Sequence, residues 1–224
     1  MCHVLIVTGG HLDFDFAENF CNTISYDKVF AVDKGLEYAD ALGLHIDYIL
    51  GDFDTVNTAL LKSYQKQIDS GSLDAIIEYH PVKKDAADTE LAVLKAIEDG
   101  ADSITILGAT GSRLDHVLSN IGLLSLTAGK NVDCRIVDSC NRIRLLTGNT
   151  HCCIKKAEQY GEYLSFIPLT PMVKGLTLTG VMYPLTDRTV YQSSSLTVSN
   201  QITEEEANIF IKEGELLMIE SRDG

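Results

Sequence analysis

Short apolar runs separated by helix-periodic stretches dominate residues 1–140. The runs are Val4–Val7, Val29–Val32, Tyr48–Leu50, Ile76–Glu78, Ile104–Leu107 and Arg135–Val137. Several are rich in Val and Ile and lack apolar–polar alternation, the pattern of strands covered by helices on both faces. The stretches between them predict helices over Phe14–Asn22, Leu36–Leu42, Ala59–Ile68, Thr89–Asp99 and Leu114–Thr127. In the last, Leu114, Val117, Leu118, Ile121 and Leu124 recur at helical spacing and predict one apolar face. Strand–helix alternation of this kind predicts an α/β fold, a parallel-sheet α/β/α domain.

The pattern changes over residues 141–224. Strand-like segments follow one another closely: Ile143–Leu146, Cys152–Lys155, Tyr163–Ile167, Val173–Thr179, Met182–Leu185, Leu196–Ser199, Asn208–Ile211 and Leu216–Glu220. Turn residues such as Gly148-Asn149, Gly161, Gly180 and Thr186-Asp187 separate them. Close strands with short turns predict antiparallel pairing and a small C-terminal β-sandwich domain.

In an open α/β sheet, ligands bind beyond the carboxyl ends of the strands. The chain's unusual polar residues fall there: Thr8-Gly9-Gly10, Asp33-Lys34-Gly35, Gly51-Asp52-Phe53-Asp54, Lys83-Lys84-Asp85 through Asp88, and Gly108-Ala109-Thr110-Gly111-Ser112-Arg113-Leu114-Asp115-His116. Asp33, Asp52, Asp54, Asp88 and Asp115 would repel one another without cations. Asp52 and Asp54, one residue apart after an apolar run, offer hard oxygen ligands suited to Mg²⁺ and a phosphate-bearing substrate. Lys83, Lys84 and Arg113 suit phosphate oxygens. The Gly108–Gly111 turn before a helix allows close backbone approach to an anion. Neither the P-loop G-x-x-x-x-G-K-[ST] nor the dinucleotide G-x-G-x-x-G fingerprint is present. Each residue also has a structural reading. Asp88 would serve as an N-cap, Asp115 as a complement to the helix dipole, Arg113 as a solvated surface base, and Asp33 as a turn former. His116 is either a general base or a structural hydrogen-bonder. In the second half, Ser193–Asn200 reads as a ligand-recognising strand end or a polar turn. Tyr183 reads as an aromatic face for a flat or cationic ring, or as core.

The formal net charge of −14 disfavours nucleic acid as a partner, because phosphate neutralisation needs a basic surface. It is compatible with a cationic ligand and a bound metal. The chain has six cysteines, none in a C-x-x-C pair and none in a zinc-like cadence with histidine. No basic leader with a long apolar core follows Met1, and no run approaches the ~18 apolar residues of a membrane span. These features predict a cytoplasmic protein with reduced, packing cysteines and no membrane partner.

Taken in order, these motifs carry a resemblance. Ala31-Val32-Asp33-Lys34-Gly35-Leu36, Gly51-Asp52-Phe53-Asp54-Thr55, Lys84-Asp85 through Asp88-Thr89-Glu90-Leu91-Ala92, Leu107–His116, Ser195–Asn200 and Gly214-Glu215-Leu216-Leu217 make the sequence similar to bacterial thiamin pyrophosphokinases over essentially its whole length. The resemblance implies Mg²⁺-dependent transfer of diphosphate from ATP to the hydroxyl of thiamin. It also implies a homodimer whose active site is shared between subunits. On matching positions, Asp52, Asp54 and Asp88 would hold the metal and triphosphate, and Arg113 and Asp115 would complete the polar edge. Thr8, Gly10, Asp33, Lys84, Gly108, Thr110 and Gly111 would face the nucleotide; Tyr183, Ser199 and Asn200 would face thiamin. Three positions depart from the family's habit: Thr55 for Ser, Ala87 for Thr, and Ser112 for Gly. The alternatives are a related diphosphokinase acting on another hydroxymethyl heterocycle such as a pterin, a non-catalytic thiamin or nucleotide binder, and, more remotely, a metal-dependent phosphohydrolase.

Overall fold

A computed structural model describes residues 1–80, 86–111 and 113–224. The chain divides into two compact units, Met1–Ser139 and Cys140–Gly224.

The first unit carries strands β1 (His3–Val7), β2 (Lys28–Val32), β3 (Tyr48–Gly51), β4 (Ile76–Tyr79), β5 (Ser103–Leu107) and β6 (Asp133–Val137). Between them lie α1 (Phe14–Thr23), α2 (Gly35–Ala41), α3 (Thr58–Asp69), α4 (Asp88–Glu98) and α5 (Leu114–Ala128). The strands pair in parallel in the order β4-β3-β2-β1-β5-β6. Chain order runs outward from β1 to β4 and then restarts at β5, so the strand order reverses between β1 and β5. Val4–Val7 and Ile104, Ile106 and Leu107 are fully buried, as the Val/Ile-rich runs require of a sheet covered on both faces. Edge strand β4 is more open, with Ile76 and Tyr79 exposed.

Helix starts follow local chemistry in part. Asp13 caps α1 by accepting the Phe16 N–H at 3.0 Å, and Asn57 caps α3 by accepting from Ala59 and Leu60. Asp88, read from sequence as a possible N-cap, is the first residue of α4; the cap position is Ala87, which offers no side-chain acceptor. Helix α5 departs from the expected apolar face. Leu123, Leu124 and Thr127 are buried, while Leu114 and Leu118 lie exposed. The helix packs on α4 and β6 through its C-terminal half, so the apolar spacing of its first turns has no core beneath it among the described residues.

The second unit holds β7 (Asn141–Thr147), β8 (His151–Lys155), β9 (Tyr163–Pro168), β10 (Met172–Thr179), β11 (Leu185–Tyr191), β12 (Glu206–Phe210) and β13 (Glu215–Ser221). Antiparallel pairing gives one run β7-β13-β9 and a four-stranded sheet β11-β10-β12-β8. Leu146, Leu164, Phe166, Leu216 and Met218 from the first run pack with Val173, Leu178, Val190 and Ile209 from the second. This is the expected sandwich. Two expected strands are absent, since Met182–Leu185 and Leu196–Ser199 are mostly turns with exposed apolar side chains. Thr186-Asp187, expected as a turn, lies inside β11. Asp187 takes a left-handed conformation (φ 49°) where the β10–β11 register shifts, so the turn signal marks a bulge.

A bidentate ion pair lies within this unit. Glu220, 2% exposed, accepts from Arg142 Nε and Nη2 at 2.7 Å each and from the Tyr160 N–H at 2.9 Å. All six cysteines are free. Burial pushes the Cys21 thiol up to about 11 and the Cys134 thiol up to about 12. Cys153 is not a packing residue: it is exposed and donates to Glu206 at 3.3 Å. Among the described residues no helix is long and apolar enough to cross a membrane.

Candidate active site

The loop after β3 is fixed from several sides. Gly51 sits at φ 151°, and a Cβ there would lie 1.9 Å from Asp33 Oδ1, so glycine is needed for the Asp33 carboxylate to approach. Asp33, itself left-handed at φ 47°, donates its N–H to Leu50 O at 2.9 Å and accepts from Phe53 N–H at 3.4 Å. Phe53 also adopts a left-handed conformation (φ 60°), unusual for a bulky residue. Its ring is buried and meets Tyr79 edge-on at 5.0 Å. That inward anchor sends the neighbouring acids outward. Asp54 is exposed and Asp52 half-buried, and Asp52 Oδ1 accepts the Asp54 N–H at 3.1 Å. At the loop's far end the Asn57 N–H donates to Glu37 Oε1 at 2.8 Å. Glu37 escaped the sequence reading, because an acid in a first helical turn looks like any other surface acid.

The loops after β1 and β5 bind each other at the point where the strand order reverses. Thr8 N–H donates to Leu107 O, Gly10 N–H to Gly108 O and His11 N–H to Thr110 O, at 2.8–2.9 Å. A Cβ on Gly10 would lie 2.2 Å from Gly108 O. Glycine at position 10 is therefore what lets one loop approach the other. The Thr8 hydroxyl is buried and pairs with Thr89 Oγ1 at 3.1 Å. It thereby ties the first turn of α4, where half-buried Asp88 stands, to the end of β1. Asn120 of α5 donates to Ala109 O at 2.8 Å and steadies the β5 loop. Gly111, at φ 149°, packs beside His11.

Arg113 and Asp115 are paired with each other on the surface, Nη2 to Oδ2 at 2.7 Å and Nε to Oδ1 at 3.3 Å. The Arg113 hydrogen bonds hold the Asp115 carboxyl below the usual carboxylate range. The His116 N–H also donates to Asp115. Lys83, Lys84 and Asp85, and Ser112 of the glycine-rich loop, lie outside the described residues.

In the second unit Tyr183 is 60% exposed, so it is not core. Ser199 is exposed, left-handed at φ 59°, and donates its N–H to Ser165 Oγ at 2.9 Å. Asn200, expected to face a ligand, is only 3% exposed, and its amide bonds both the N–H and the C=O of Tyr183.

Mg²⁺ was expected on Asp52, Asp54 and Asp88. Among the described residues no group of three His, Cys, Asp or Glu side chains is gathered as a ready-made metal cage. The donors present fit the ion's usual mode nonetheless. Half-buried Asp52 and exposed Asp54, on one loop, offer hard carboxylate oxygens of the kind that would hold Mg²⁺ together with a phosphate-bearing ligand.

Two family models match the chain: "Thiamin pyrophosphokinase, catalytic domain" over residues 23–137 and "Thiamin pyrophosphokinase, vitamin B1 binding domain" over residues 151–216. The chain belongs to the thiamin pyrophosphokinase family. It is 31% identical to the thiamine pyrophosphokinase of Bacillus subtilis (strain 168) over 192 residues, 86% of each chain. A crystal structure of thiamine pyrophosphokinase from Bacillus subtilis superposes with a TM-score of 0.84 at 30% identity, covering 99% of this chain and all of that one. The thiamin pyrophosphokinase structure from Geobacillus thermodenitrificans gives 0.81 at 29% identity over 99% and 98% of the two chains. Thiamin pyrophosphokinase homology on both units leaves the pterin-directed and non-catalytic alternatives disfavoured.

Proposed function

We propose that the protein transfers diphosphate from ATP to the hydroxyl of thiamin, giving thiamin diphosphate and AMP. The thiamin oxygen attacks the β-phosphorus, the bond from that phosphorus to the oxygen bridging the α-phosphorus breaks, and AMP leaves. The observation that carries this reading is the braced loop that turns Asp52 and Asp54 outward at the carboxyl edge of the sheet. Phosphoryl transfer demands positioning and charge neutralisation more than covalent participation. Mg²⁺, when bound, would supply neutralisation of the triphosphate's negative charge.

Asp52 and Asp54, with Asp88 at the start of α4, would hold that metal. Lys84 and Arg113 offset phosphate charge. Thr110 and Gly111 border the nucleotide, while Thr8, Gly10, Asp33 and Gly108 shape the loops around it. The thiamin proton needs an acceptor. Asp115, which is paired with Arg113, and Asp54 are the two candidates. Tyr183 and Ser199 meet thiamin, whose cationic ring suits an aromatic face. A homodimer sharing its active site between subunits belongs to the same proposal and rests on family resemblance, and the cytoplasmic setting proposed with it agrees with the free cysteines.

Asp54→Asn tests the metal–phosphate role. It keeps the backbone N–H that bonds Asp52. Mg²⁺-dependent turnover is expected to vanish while the metal-free melting temperature changes by no more than about 2 °C, as for a surface substitution. Full activity, or a large loss of folding, would contradict the assignment.

A further inference from the structure

The main chain of Asn200 is already committed to β9. Leu164 N–H donates to Asn200 O at 2.8 Å, and Asn200 N–H to Leu164 O at 3.2 Å. Its side chain turns to the other side. Oδ1 accepts from Tyr183 N–H at 3.0 Å and Gln201 N–H at 2.9 Å, and Nδ2 donates to Tyr183 O at 3.0 Å. The amide thus behaves like a peptide group of a neighbouring strand. It extends a short antiparallel ladder in which Val181 pairs with Ile202 and Met182 N–H donates to Gln201 O at 2.9 Å. Pro184, which has no N–H, follows the last rung.

This arrangement places a nearly inaccessible amide, 3% exposed, beneath a tyrosine that is 60% exposed. Burying an amide is costly unless it is hydrogen-bonded, and here three bonds satisfy it. The ring it supports gains little burial in return. The expected gain is on binding, since an aromatic face held in place beforehand loses less freedom when a ligand stacks on it.

We infer that Asn200 is a positioning residue for the ligand, acting through Tyr183. It clamps the Tyr183 peptide so that the ring is presented as a preformed face for the flat, cationic rings of thiamin. This deepens, and rests on, the function proposed above. A direct hydrogen bond from the Asn200 side chain to the ligand is the competing role, and the burial and two-sided engagement of the amide argue against it.

A double-mutant cycle on thiamin affinity separates the two roles. Isothermal titration of thiamin into the full chain, without ATP or Mg²⁺, is run on the unsubstituted protein, Asn200→Ala, Tyr183→Ala and the double variant. Each single substitution is expected to weaken binding about tenfold, and the double variant also about tenfold rather than about a hundredfold. In turnover, Asn200→Ala is expected to raise KM for thiamin and leave KM for ATP unchanged. If Asn200→Ala does not fold, Asn200→Asp carries the same cycle. It retains the two accepted N–H bonds, loses the donor to Tyr183 O, and is expected to lose affinity only while Tyr183 is present. Additive losses, or an Asn200 variant with unaltered affinity, would overturn the positioning role. An unsubstituted protein that fails to bind thiamin would overturn the functional reading, and this inference with it.

Discussion

Replacing Gly51 by alanine puts a methyl carbon 1.9 Å from Asp33 Oδ1 and 2.8 Å from its Cγ. Two costs arise. The backbone at φ 151° is disfavoured for any residue with a Cβ, at about 1–3 kcal/mol. Overpacking adds about 1–3 kcal/mol if nothing moves. The cheapest relief is rotation of Asp33 away from the loop, which gives up its bond to the Phe53 N–H, about 1 kcal/mol. A net loss of about 2–4 kcal/mol follows, or roughly 5–15 °C in melting temperature for a unit of this size. The loop that presents Asp52 and Asp54 loses one of its braces, so turnover is expected to fall much further than stability. Calorimetry and a diphosphate-transfer assay on Gly51→Ala read both quantities. The double variant Gly51→Ala/Asp33→Ala removes the clash. Because rotation of Asp33 has already given up the Phe53 bond, it should melt close to Gly51→Ala and recover none of the activity. A Gly51→Ala protein with unaltered melting and turnover would refute the reasoning, as would an Asp33→Ala substitution that costs as much in that background as it does alone.

Three further outcomes follow from the same structure. Ala87 has N-cap geometry (φ −70°, ψ 153°) without an acceptor, so Ala87→Ser should stabilise the protein by about 1 kcal/mol in thermal unfolding. Arg142→Met strands the buried Glu220 carboxylate and should cost about 3 kcal/mol or more in denaturant unfolding, with Glu220→Gln recovering part of it. Burial pushes the Asp99 carboxyl up, but Lys95 at 2.9 Å and Lys28 at 3.1 Å outweigh it and hold the carboxyl below its usual value. A depressed folded-state pKa gives stability that is fully present above the unfolded value near ~4 and is lost as pH falls through the folded one. Asp99→Asn should therefore be less stable than the parent at pH 7, and the gap should close in acid below about pH 4.

The acids of the sheet edge were legible because a strand end is visible in sequence: Tyr48–Leu50 is apolar, and Gly51-Asp52-Phe53-Asp54 follows at once. What the sequence could not show was which groups each residue spends on its neighbours. Thr8 and Gly10 look like phosphate-loop residues, yet one pairs with Thr89 and the other with Gly108, contacts spanning most of the first unit's length. Asn200 and Glu37 are of the same kind, since their roles exist only through partners distant in the chain. Local signals misled where tertiary context overrode them. Thr186-Asp187 has turn chemistry but forms a bulge within β11, and Leu114 and Leu118 keep helical spacing with no core beneath them.

The most direct test is the identity of the nucleotide product. Incubation of the protein with ATP, Mg²⁺ and thiamin should yield AMP and thiamin diphosphate in equal amounts. ADP, free phosphate, or AMP formed without thiamin diphosphate would contradict the account.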